Sequence, residues 1–164
     1  TPQTTARQTQ LRDASHAPYV YTPQVVLNGV DHRGWRGQAA QALPGLPPGA
    51  APPLRLQRDG NRVLAEVGLP ATAPPAGARL AGFWAVLQDE QRSVVTRGEN
   101  AGATLRNDHV VRLYQPVPAW DAGQAQRLSL PLPAAAGQRV VFVVTQADGL
   151  KPVQAAVLQC GPPS

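Results

Sequence analysis

The densest run of chemically capable side chains is Arg97-Gly98-Glu99-Asn100-Ala101-Gly102-Ala103-Thr104-Leu105-Arg106-Asn107-Asp108-His109-Val110-Val111-Arg112. Glu99, Asn107, Asp108 and His109 offer carboxylate, amide and imidazole donors of the kind that hold a metal ion. Their spacing is irregular, unlike a paired Cys-x-x-C arrangement. Asn and Asp side chains also bond their own backbone in long connections, so we read the stretch as a structured link between strands. The other candidates are sparser. His16 falls in a turn and reads as a solvated residue, and Asp31-His32 has no partner at metal-ligand spacing and reads as structural. Ser15, Ser93 and Ser129 lack a nucleophile elbow and a paired histidine. Cys160 is the single cysteine, which excludes an intrachain disulfide and a Cys-x-x-C motif within this chain. We read it as an unpaired thiol, the other possibility being half of a bridge to absent material. No catalytic residue, metal ligand or cofactor is expected.

Composition narrows the classes further. The 164 residues suffice for one domain, or for one domain and part of another. The formal net charge is +5, and Arg supplies all of the 15 basic residues except Lys151. The arginines are scattered, without a run of like charges. No aromatic residues alternate with them as on a single-strand-binding platform, so no nucleic-acid partner is expected. No apolar run approaches a membrane span. The chain begins at Thr1 and contains no methionine, which suits a mature secreted protein or an internal fragment.

These residues need elements to position them. Residues 2 to 14 read as a helix: Pro2 suits a first turn, and Arg7, Gln8, Gln10, Leu11 and Arg12 are fair helix formers. Its apolar stripe is thin, with Ala6, Leu11 and Ala14 as main members. It should end by Ser15 to Ala17, because Pro18 disfavours a helical residue before it. Val25, Val26 and Leu27 predict a short strand buried on both faces. Asn28-Gly29 predicts a two-residue hairpin turn, with Val30 to Arg33 returning and Trp35 to Leu43 forming a short helix. Pro23 should open the first strand, since proline has no N–H for the ladder. Local chemistry alone favours a trans bond before it. Residues 44 to 53, Pro-Gly-Leu-Pro-Pro-Gly-Ala-Ala-Pro-Pro, cannot make a helix or central strand and read as a stiff linker.

Beyond residue 53 nearly everything reads as strand. Leu54 and Leu56 alternate with polar residues, Asp59-Gly60 turns, and Val63, Ala65 and Val67 share a face. Leu80 to Leu87 is a central apolar run, followed by an Asp89-Glu90 turn and a strand at Ser93 to Thr96. Val110 to Tyr114 is next, with a break at Pro116. Leu128, Leu130 and Leu132 alternate. Val140 to Val144 is a second apolar run, and after Ala147-Asp148-Gly149 the stretch Val153 to Leu158 closes the series. About eight strands with turn signals roughly every ten residues predict an antiparallel sandwich.

Tyr21-Thr22-Pro23-Gln24-Val25-Val26-Leu27-Asn28-Gly29, then Arg97-Gly98-Glu99-Asn100-Ala101-Gly102, Leu105, His109-Val110-Val111-Arg112 and Trp120-Asp121, together resemble a family of bacterial secreted thioredoxin-like proteins of unknown function. The resemblance runs from about residue 1 to 158. It implies an α+β, mostly β, chain: the later part of a thioredoxin-like fold at 1–45, a proline-rich linker at 46–53, and an antiparallel β-sandwich at 54–160. It also implies a periplasmic or secreted location and a cis bond between Thr22 and Pro23. Thr22 and Pro23 become candidate substrate-groove residues. Glu99, Asn100, Asn107, His109 and Trp120 become candidate family-motif residues. The family's redox cysteines lie upstream of the groove, where this chain has no match. A first strand without its neighbour leaves an apolar edge, so the partner is expected to be the missing N-terminal segment or a second copy. Two functions follow: the non-catalytic portion of a thiol–disulfide exchange protein, or a cell-envelope binding or structural module that keeps the fold as a scaffold.

Overall fold

In the computed structural model, residues 2–21, 24–32, 51–133, 137–147 and 151–159 are described. Among them the chain is mostly β: one helix and several small antiparallel sheets. No helix among the described residues is long and apolar enough to cross a membrane. Thr22, Pro23, Trp35 to Leu43, residues 46–50 of the linker and Cys160 lie outside the described residues.

Helix α1 spans Pro2–Ala14, as the sequence predicts. Its end is a backbone device. His16 takes the left-handed conformation (φ 50°), and the Ala17 N–H reaches back to Arg12 O at 3.0 Å, the pattern of a Schellman stop. Ser15 Oγ donates to Leu11 O at 2.7 Å. His16 therefore has a structural duty that its composition did not announce. Strands β1 (Val26–Leu27) and β2 (Val30–Asp31) form the expected hairpin. Asn28 and Gly29 both have positive φ, 49° and 81°, the requirement of a type I′ turn. The strands are shorter than the apolar run suggested, and Val26 and Leu27 are half-buried instead of buried on both faces. Tyr21 Oη donates to Asp31 Oδ1 at 2.5 Å, tying the approach segment to the hairpin.

The main body is two facing sheets. The larger has the order β11 (Pro152–Gln159), β10 (Gln138–Gln146), β5 (Arg79–Gln88), β8 (Val110–Asp121). The smaller has the order β3 (Leu54–Asp59), β4 (Arg62–Val67), β9 (Gln126–Pro131). The core lies between them: Val63, Ala65 and Val67 of β4 and Leu130 of β9 meet Trp84 and Val86 of β5, Trp120 of β8 and Val140, Phe142 and Val144 of β10. Every second residue of these strands turns inward, as the pleat dictates. Trp84 and Phe142 pack with ring centroids 4.6 Å apart. Gly82 is required beside them, because a Cβ there would stand 2.8 Å from Phe142 Cζ and 2.9 Å from Val143 O.

Strand β8 does not break at Pro116. It runs to Asp121 because it is the edge of its sheet, the place where a missing N–H is tolerated. Two bulges accommodate it. Arg112 is the extra residue between Leu113 and Val111, and Pro118 with Ala119 stands opposite Ala81. On the outer face of this sheet, Phe83 and Tyr114 pair at 5.1 Å, and the Arg7 guanidinium of α1 lies 4.9 Å above the Phe83 ring. That cation–π contact joins a helix with little apolar surface to the sheet.

Candidate functional site

Strands β6 (Gln91–Val94) and β7 (Thr104–Asn107) form a two-stranded ribbon. The ribbon prolongs β5 and β8. Gln88 pairs with Val110, and Gln91 pairs with Asn107, so the register resumes unchanged after two residue pairs. Asp89-Glu90 is therefore no chain reversal, contrary to the sequence reading. It is half of a joint whose other half is Asp108-His109. The chain reverses only beyond Val94, which makes β6, β7 and residues 95–103 an arm projecting from the two-sheet body.

The joint is built reciprocally. Glu90 and His109, neither of them glycine, both adopt φ 57°, a conformation that costs about 1–3 kcal/mol each unless the surroundings enforce it. The enforcement comes from the two aspartates. Asp108 Oδ1 accepts the Glu90 N–H at 2.9 Å, and Asp89 Oδ1 accepts the His109 N–H at 3.0 Å. Asp89 Oδ2 also meets Arg139 of β10 at 2.7 Å. The Arg139 guanidinium also contacts Nε2 of His109. Glu90 pairs with Arg106 at 2.7 Å. The arm is thus anchored through β10 and braced from both of its own strands.

No residue of β6 or β7 is buried, and Val94 is 64% exposed. The tip is nevertheless ordered by its own backbone. Val95 N–H donates to Ala103 O at 2.9 Å, Gly102 N–H to Val95 O at 2.8 Å, and Ala103 N–H to Asn100 O at 3.0 Å. Gly98 and Gly102 supply positive φ (86° and 89°) where the loop turns. Asn107 Nδ2 donates to Ser93 Oγ at 3.2 Å across the ribbon.

The structure separates the sequence candidates. Glu99 and Asn100 sit at the tip, Asn107 on the arm and His109 in the joint. Trp120 is buried at the far end of β8, its indole N–H without a hydrogen-bond partner among the described residues. Glu99, Asn107, Asp108 and His109 do not converge, and among the described residues no group of three His, Cys, Asp or Glu side chains could hold a metal ion. Asp89, Glu90 and Arg139 escaped notice as joint residues. The available signal was the repetition of an Asp followed by a polar residue at two places equidistant from the tip.

The family described as "Protein of unknown function (DUF1223)" matches residues 1–146. This chain belongs to that family. The DUF1223 match takes in α1, the β1–β2 hairpin, the arm with its joint, and the strands through β10, so the segments on both sides of the proline-rich stretch belong to one family unit. No curated protein and no solved structure matches the chain.

Proposed function

We propose that this DUF1223 chain is the non-catalytic, partner-binding portion of an exported bacterial thioredoxin-like protein, in which a β-sandwich presents the β6–β7 arm to a protein or peptide of the cell envelope. The observation that carries this reading is an exposed tip held in one shape by its own backbone bonds. Such order adds nothing to a core. It does lower the entropy cost of binding, because the contact shape exists beforehand. Binding residues also concentrate on loops fixed by a rigid scaffold. The test replaces Glu99 with a photo-crosslinking residue in the periplasm, with Glu66 on the smaller sheet as control. The expected result is a discrete adduct from position 99 and none from 66. The partner so identified, once purified, should bind a Glu99→Ala, Asn100→Ala double variant at least about tenfold more weakly, with the unfolding midpoint unchanged. Equal labelling from both positions rejects the reading.

A second reading, thiol–disulfide exchange, draws on the order helix α1, approach segment and β1–β2 hairpin, which is the order of a later thioredoxin half. An upstream low-pKa thiolate would attack the substrate disulfide, and Thr22 and Pro23 would shape its groove, pairing with an extended chain by strand addition. The check is to determine the polypeptide upstream in the natural protein and assay disulfide reduction. Absence of a Cys-x-x-C there ends this reading and leaves the binding module standing.

A further inference from the structure

At the end of β5 opposite the arm, the ends of β5, β10 and β11, Pro52 and the connection at 70–78 line an open cleft of about 700 Å3. That size suits a small organic molecule. One wall carries Pro70, Pro74 and Pro75, which have no N–H to offer and little freedom to lose. Leu80, Ala122 and Val153 supply an apolar floor. The walls are cross-tied by backbone bonds from three segments. Ala78 N–H donates to Pro75 O at 3.0 Å, Ala122 N–H to Ala78 O at 2.9 Å, and Ala147 N–H to Arg79 O at 3.3 Å. The cleft is therefore preformed.

Among the described residues that line it, the one cation is Arg79. Arg79 Nη2 donates to Ala119 O, the carbonyl of the β8 bulge, at 2.9 Å. That bond positions the guanidinium without neutralising it, and Arg79 makes no ion pair among the described residues. The nearest acid in the ladder, Asp121 opposite it, directs Oδ1 to the Gly123 N–H at 2.7 Å instead. Thr72 and Gln146 are the remaining polar side chains on the lining. We propose that this cleft binds a small apolar carboxylate, its hydrocarbon part against the prolines and the floor and its acid group on Arg79. A single guanidinium among donor-poor walls matches one negative charge; a phosphate would leave charge unmatched. This site lies roughly 30 Å along β5 from the joint, and it does not depend on what the arm binds.

The test titrates the full chain with octanoate, octanamide and octylamine, observed by saturation transfer and by shifts of the cleft amides. Octanoate should bind most tightly, about tenfold better than octanamide, the difference a charge-assisted hydrogen bond makes. Arg79→Gln should remove that preference, with octanamide binding unchanged. Ala147→Trp, which fills the cleft, should abolish binding of both. Unfolding midpoints of the variants establish that they fold, and the three-ligand comparison on the unaltered chain stands if they do not. No octanoate binding, octylamine binding as tight as octanoate, or an octanoate affinity unmoved by Arg79→Gln in a folded variant each overturns the proposal.

Discussion

Trp120 shows how much a single buried atom decides. Its ring fills the core at 8% exposure, while its N–H has no hydrogen-bond partner among the described residues. An orphaned donor forfeits hydration without recompense. Trp120→Phe should therefore change stability by less than about 1.5 kcal/mol, the lost volume being offset by the removed donor. Trp120→Ala should cost about 3–5 kcal/mol. Denaturant unfolding of both variants separates packing from polarity, and equal losses would contradict the argument. Gly82 is the converse case, a site where nothing can be added. Gly82→Ala should cost about 1–3 kcal/mol, because the intruding methyl meets Phe142 and the Val143 carbonyl in a packed interior. Neither effect was legible in the sequence. The family resemblance marked Trp120 as a motif residue without saying which atom would lack a partner, and a glycine in an apolar run looks the same whether or not a ring lies against it.

At the scale of elements, the strands that alternate cleanly were the ones the sequence made legible. Val63, Ala65 and Val67 do share the inward face of β4, and Leu130 of β9 is buried. Period-2 alternation is a local signal and survives any topology. The arm was legible only in part: the strand expected at Ser93 to Thr96 overlaps β6 (Gln91–Val94), but no apolar pattern reveals β7. Asp89-Glu90 has the composition of a turn and is instead a bend within a continuing ribbon. Pro116 misled for a related reason: whether proline stops a strand depends on which strand is the edge, and that is a property of the sheet. The joint makes a prediction of its own. Asp89→Asn and Asp108→Asn weaken the bonds that hold His109 and Glu90 at positive φ, so the amides of Arg92, Ser93 and Arg106 should exchange faster with solvent. The amides of Val140 to Val144 should not change. Hydrogen exchange resolved by residue checks this, and uniform acceleration through the body would show that the joint is not a separate unit.

At the scale of the whole molecule, stability and recognition occupy different places. The core between the two sheets contains no residue of the arm, so replacing 91–107 by a short turn should leave the unfolding midpoint within a few degrees of the parent while eliminating the crosslink from the tip. A large fall in the midpoint would mean that the arm braces the body. The prolines of β8 and the bulge at Arg112 also leave that edge ill-suited to pairing with another chain. The arrangement has a mechanical consequence. A ribbon pivoting at one strained point is a lever. At about 3.3 Å per residue its tip stands roughly 20 Å from the pivot, so turning it by about 15° sweeps the tip through roughly 5 Å, the width of one peptide strand. Asp89, gripped by Arg139 of β10, sits where the smallest displacement of the body gives the greatest travel at the far end.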